Sequence, residues 1–188
     1  MDASTERPRH RFSVDDYHRM IDSGLFAQQR LELINGEIID MSPQSPTHFG
    51  LLLRIAKTLE ELFGVGFHAR PQGPLALQHS EPEPDVAVVR GHLNDYLDRH
   101  PTTAELVVEV SDTSLAYDRR TKSPVYAEAG IPEYWVVNLS SRVLEVYREP
   151  KPIGSGFGYG ETRHYRPDER VSPLGAPAAS VLVSDLLP

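Results

Sequence analysis

The sequence predicts a mixed α+β domain, one central β-sheet with helices packed on its faces. Three observations lead there. Asn35-Gly36 stands between two short alternating runs in "LELINGEIID"; the stretch "SPTHFGLLLRIAKTLEELFG" repeats its apolar residues at helical spacing; and the β-rich runs "PDVAVV", "AELVVEVS" and "EYWVVN" are interrupted by a segment with helical ends.

Taken in order, Ser13 and Asp16 have capping-box spacing in "SVDDYHRMIDSG", and Gly24 offers a stop, so a short helix opens the domain. Asn-Gly between alternating runs is the strongest short-range hairpin signal, because both turn positions need positive φ. Leu31, Leu33, Ile38 and Met41 are the expected inward residues of that hairpin, with Glu32 and Glu37 among them. A long amphipathic helix follows, with Phe49, Leu52, Leu53, Ile55, Ala56, Leu59, Leu62 and Phe63 on its apolar face. Four strands are expected next, at "VGFHAR", "GPLALQ", "PDVAVV" and "AELVVEVS", the last two separated by a polar connection with at most a turn or two of helix. "YDRRTKSPVYAEAG" reads as a helix with Asp118 at its start, Pro124 in its first turns and Gly130 at its end. "EYWVVN" and "RVLEVYRE" form a hairpin about "LSS", the glycine-rich "IGSGFGYG" reads as a flexible connector, and a strand at "TRHYRP" precedes the apolar "SVLVSDLL". Those glycines lack the Lys-Ser/Thr ending of a phosphate-binding loop.

Composition narrows the function. The 188 residues, 39% hydrophobic and 24% charged, suit a single globular domain over 13–188 behind a flexible tail at 1–12. With no cysteine, disulfides, thiolate zinc sites and a cysteine nucleophile are excluded. No signal sequence opens the chain and no run of apolar residues is long enough to span a membrane, so a cytoplasmic location is expected. The net charge of −8 counts against a nucleic-acid partner. A site that gathers metal-binding carboxylates is itself acidic, however, and a local basic rim can do the binding.

Asp85 and Glu109 carry the chemistry. Asp85 begins the run "VAVV", and Glu109 lies inside "LVVEVS", where a carboxylate is costly to desolvate unless it is paired, metal-bound or on an exposed face. One polar crossover fills the interval, so the two strands can be neighbours and the two carboxylates can meet. Lys122, on the following helix, can return over the strand's end; alternatively it is a surface lysine paired with Asp118 at i,i+4. Two carboxylates can hold a hard cation such as Mg²⁺ or Mn²⁺ while leaving positions for phosphate oxygens and water, and a nearby ammonium can orient the nucleophile or offset developing charge. Phosphodiester hydrolysis suits such a constellation.

"PDVAVV", "LVVEVS" and "YDRRTKSPVYAEAGIPEYWVVN", preceded by "LELINGEII" and "MSPQSPTHFG", resemble the family described as putative restriction endonuclease, within the PD-(D/E)xK nuclease superfamily. The resemblance covers roughly residues 30–148 and implies a restriction-endonuclease-like fold, dependence on a divalent metal (Mg²⁺ or Mn²⁺) and DNA as substrate. It assigns the first aspartate to Asp85, the second acid to Glu109 and the early acid to Glu32, with Glu37 as the alternative. Ser111 stands where many relatives carry the lysine; Lys122 matches a lysine moved to the next helix. His48 in "SPTHFG" matches a recurrent position, as a phosphate or water contact or as an ordinary helix-terminal histidine, and Arg119 and Arg120 are candidates for phosphate contact.

Other residues read plainly. The eight histidines show no ligand spacing, Trp135 suits a core, and Glu81 and Glu83 read as loop charges able to supplement a metal site. The arginines at 142, 148, 163, 166 and 170 are interleaved with acids and make no clean stripe. Three functions remain open: a Mg²⁺-dependent nuclease, expected to act as a homodimer since cutting both strands needs two sites; a silent binding or regulatory module of the same fold; and a glycosidase with paired carboxylates, which the single tryptophan and 8% aromatics disfavour.

Overall fold

The computed structural model of the protein describes residues 9–188. Helix α1 (Val14–Asp22) starts at the expected capping box: Asp16 N–H donates to Ser13 Oγ at 3.1 Å and Ser13 N–H donates to Asp16 Oδ2 at 3.2 Å. Tyr17 is buried from this helix, and its hydroxyl donates to Leu31 O at 2.8 Å. Strands β1 (Leu31–Ile34) and β2 (Glu37–Asp40) form the hairpin, with φ of 50° at Asn35 and 75° at Gly36 as the two-residue turn demands. Residues 1–8 of the expected tail lie outside the described residues. Farther along it, Phe12 N–H donates to Gly36 O at 2.9 Å, which pins this part of the tail to the hairpin turn.

Helix α2 (Pro46–Phe63) is capped by Ser45, whose Oγ accepts from His48 N–H at 3.2 Å, and ends at Gly64 with φ of 69°. The central sheet has six strands in the order β3 (Phe67–Pro71), β4 (Val86–Arg90), β5 (Leu106–Ser111), β6 (Glu133–Asn138), β7 (Val143–Ile153) and β8 (Gly156–Tyr165). Only β5 and β6 run parallel. A parallel pair needs a crossover, and here it is helical. Helix α3 (Leu115–Tyr117), a π turn (Asp118–Lys122) and helix α4 (Ser123–Glu128) follow one another without a break. Pro124 explains the π turn: it has no N–H to donate to the carbonyl of Arg120, and its ring crowds that carbonyl, so the preceding turn widens to i→i+5 bonding, with Ser123 N–H on Asp118 O.

Strand alternation divides the core in two. Val86, Val88, Val108 and Val110 pack with α2, whereas Ala87, Val89, Val107 and Val136 pack with Val125 and Tyr126 of the crossover helix. The β4–β5 register pairs Val86 with Val108, and one further step sets Asp85 opposite Glu109 on the crossover side. Glu109 therefore points away from its flanking valines, as alternation requires, into a face that the helix covers; it is 3% exposed. Small strands β9 (Arg170–Val171) and β10 (Val181–Leu182) close the C-terminal end, with Val181, Val183 and Leu186 in the α2-side core.

Four sequence expectations are corrected. Residues 73–78 form no strand: Leu75 N–H, Ala76 N–H and Leu77 N–H bond to Pro82 O, Pro101 O and Ser80 O, so their partners are scattered although Leu75 and Leu77 are buried. The glycine-rich stretch is no flexible connector; β7 and β8 pair through it to Ile153↔Gly156, turning at Gly154 with φ of 61°. On α2, Phe49 and Leu53 are exposed and Leu51 is buried instead, because the stripe facing the sheet runs through Leu52, Ile55 and Leu59. In the hairpin, Glu32 and Ile34 are buried while Leu31, Ile38 and Met41 are only partly so, because the segment around Glu81 bridges to Leu33 and both faces of β1 are covered.

Candidate active site

Asp85, Glu109, Lys122 and Glu32 line one cleft of about 620 Å³. Lys122 Nζ lies 2.9 Å from Glu109 Oε1 and 3.4 Å from Glu32 Oε2. It is 6% exposed and directed at these carboxylates rather than at Asp118, so the surface i,i+4 pairing is not formed. Asp85 and Glu109 interlock across the strands: Val110 N–H donates to Asp85 Oδ2 at 2.7 Å, and Asp85 N–H faces Glu109 Oε2 at 3.4 Å. Glu32 arrives on β1, brought in by the antiparallel bridge between Leu33 and Glu81, and accepts from Glu83 N–H at 3.3 Å. Glu37 lies elsewhere, on the outside of the hairpin, 3.5 Å from Arg11.

The surrounding residues have defined partners. Ser111, in the place of the missing lysine, donates to Asp118 Oδ2 at 2.6 Å, and Ser114 donates to the same oxygen at 2.7 Å. These bonds fasten the start of the crossover helix to the end of β5, which sets where Lys122 emerges. Asp118 is thus a buried member of the cleft wall. His48 Nε2 is 3.5 Å from Asp85 Oδ1, and that contact outweighs burial to push its pKa above the usual histidine value. Glu81 is paired with His18 at 2.8 Å and Glu83 with Arg30, so both glutamates have structural partners, although Glu83 also reaches the cleft.

Arg119 and Arg120 are exposed on the helix. The Arg119 guanidinium grips fully buried Glu145, with Nε at 2.8 Å and Nη2 at 2.5 Å. Asn138 and Tyr147 complete that carboxylate's hydrogen bonds at 2.8 and 2.7 Å. Arg119→Ala is expected to lower stability by about 1–3 kcal/mol, since it strips a partner from a buried carboxylate. Urea denaturation checks this; unchanged stability with weakened DNA binding would return Arg119 to phosphate contact.

Burial dominates the electrostatics. It pushes the Glu109 carboxyl up to about 8, against the opposing pull of the Lys122 ammonium. For Lys122, burial works to lower the pKa, but Glu109 and Glu32 more than offset it and the net shift is upward, so the ammonium stays charged. Among the described residues, no group of three or more His, Cys, Asp and Glu is arranged to hold a metal. What is present is a pair. One oxygen of each is engaged at short range, Asp85 Oδ2 by Val110 N–H and Glu109 Oε1 by Lys122. The others have only long contacts: Asp85 Oδ1 to Gln44 at 3.4 Å and His48 at 3.5 Å, and Glu109 Oε2 to Asp85 N–H. Two hard oxygen donors in a negatively charged pocket fit Mg²⁺, which keeps several waters and takes one or two carboxylates.

Sequence reasoning missed two tyrosines. Tyr126 donates to Glu109 Oε1 at 2.8 Å and Tyr117 to Glu32 Oε1 at 3.3 Å. The four-residue spacing of Lys122 and Tyr126 on a helix was a usable signal. The five-residue spacing from Tyr117 to Lys122 was not, because only a π turn brings such residues to one face.

Among the described residues, no helix is long and apolar enough to cross a membrane. No curated protein matches the chain significantly. Among solved structures, a protein of Anabaena variabilis described as a putative nuclease belonging to DUF820 shares the fold, with a TM-score of 0.69 at 14% identity over 93% of this chain and 97% of that one. The likeness agrees with the restriction-endonuclease-like α+β architecture expected from the sequence. Residues 14–184 match Uma2, described as "Putative restriction endonuclease", and with nearly the whole chain covered the protein belongs to that family.

Proposed function

We propose that the protein is a divalent-metal-dependent endonuclease that hydrolyses DNA phosphodiester bonds in the cleft around Asp85. The observation that carries this reading is the convergence, on one face of the sheet, of Asp85 and Glu109 with a buried lysine from the crossover helix. Family membership supports it independently.

Asp85 through Oδ1 and Glu109 through Oε2 would hold Mg²⁺ or Mn²⁺. When bound, the ion supplies a water of lowered pKa and polarisation of the phosphate. Lys122 keeps its proton and presents fixed positive charge where a phosphorane's charge develops. Glu32 shares that ammonium and holds it in place. His48, at the cleft beside Asp85, is positioned to meet a phosphate oxygen. Two copies related by a two-fold axis would cut both strands.

The test is cleavage of supercoiled plasmid by the wild type with Mg²⁺ or Mn²⁺ and with excess chelator. Metal-dependent conversion to nicked or linear DNA is expected, linear product indicating paired cuts. Intact plasmid under every metal condition favours a silent binding module.

A further inference from the structure

We infer that Tyr126 is a positioning residue of this site, whose hydroxyl holds Glu109 so that Oε1 faces Lys122 and Oε2 is left for a divalent cation. The inference rests on the metal-dependent reading above and extends it to a residue outside the expected acid–acid–lysine set.

Glu109 has two donors on a single oxygen. Oε1 accepts from Lys122 Nζ at 2.9 Å and from Tyr126 OH at 2.8 Å, while among the described residues Oε2 has only Asp85 N–H at 3.4 Å. A carboxylate held through one oxygen by Lys122 alone can turn about its last torsion and bring either oxygen to the ammonium, since that torsion is broad. The second donor, from a different direction, removes that freedom. Tyr126 can act as a fixed point because it is fully buried: its ring lies 5.1 Å from that of Tyr134, whose own hydroxyl donates to Asp118 O at 3.3 Å. The π turn and the phenol thus share one support.

A buried tyrosine commonly satisfies its hydroxyl on a backbone carbonyl. Tyr159 does so on Ile131 O at 3.0 Å. Tyr126 differs in donating to an ionisable ligand candidate, the arrangement by which supporting groups orient metal-binding side chains. Its neighbour Lys122, four residues earlier, supplies charge to the same oxygen; Tyr126 supplies direction.

Tyr126→Phe keeps the ring and removes only the donor. Mn²⁺ binding, measured by calorimetry on the intact protein without DNA, is expected to weaken about 10–100-fold. Plasmid cleavage should lose kcat with KM for DNA unchanged. Tyr159→Phe is the control: it removes another buried hydroxyl, one bonded to backbone, and should shift the thermal midpoint while leaving Mn²⁺ affinity as in the wild type. If Tyr126→Phe binds Mn²⁺ like the wild type and only its thermal midpoint moves, the hydroxyl is structural and the inference is overturned. A wild type that neither binds Mn²⁺ nor cuts DNA overturns the nuclease reading itself, and the inference with it; a binding, cutting wild type with an unaffected Tyr126→Phe overturns the inference alone.

Discussion

Lys122→Met is expected to lower stability by about 3–5 kcal/mol at pH 9.5, because it leaves two buried carboxylates without their counter-charge, and to abolish cleavage. Glu109 and Glu32 are each 3% exposed and both lean on this ammonium. With the lysine gone, the Glu109 carboxyl, which burial already pushes up to about 8, loses the pull that lowers it and moves farther up. The sign follows: below about 8 Glu109 is protonated in both folded proteins and contributes no difference, whereas above that value the wild type ionises it at less cost than the variant, so the deficit grows as pH rises past the wild type's folded value. Urea denaturation of Lys122→Met and wild type at pH 6 and pH 9.5 should show a smaller difference at the lower pH and a larger one at the higher. Equal differences at both would mean that Lys122 does not neutralise Glu109.

Cation affinity should itself climb steeply with pH. Burial holds Glu109 near 8, so below that value binding must expel its proton. One proton released per ion bound corresponds to about tenfold in affinity for each unit between pH 6 and 8, with a plateau above. Calorimetric Mn²⁺ titrations at pH 6, 7 and 8 measure this directly, and repeating them in buffers of different ionisation enthalpy counts the proton. A flat profile would mean either that Glu109 is already ionised at pH 6 or that it is no ligand.

The parts of the fold that were legible in the sequence are those whose signals are local. The Ser13–Asp16 capping box, the Asn35-Gly36 turn and the Ser45 and Gly64 ends of α2 each depend on a few residues' own backbone and side chains. The meeting of Asp85 and Glu109 was readable because a single crossover separates their strands, and the register places them opposite one another. The rest depended on tertiary partners. Gly156–Gly160 looks like a loop by composition, and only pairing with the far half of β7 makes it strand. Residues 73–78 have apolar spacing that foretold burial but not a ladder, since Leu75, Ala76 and Leu77 bond to three separate segments. Glu32 could be named as the early acid by resemblance, yet its burial depends on the stretch around Glu81 crossing β1. Arg119's grip on Glu145 was not legible, because that carboxylate lies 26 residues on and two strands away.

The most direct test of the proposed metal-dependent centre is one variant read two ways: Asp85→Asn, which keeps the shape and the contact to Val110 N–H while removing the charge. Supercoiled-plasmid cleavage and calorimetric Mn²⁺ binding are measured beside a thermal melt. The predicted result is a folded protein whose Mn²⁺ affinity and cleavage rate both fall by more than about 100-fold, beyond the loss typical of a supporting group. A folded Asp85→Asn protein that binds Mn²⁺ and cuts DNA as the wild type does would contradict the assignment.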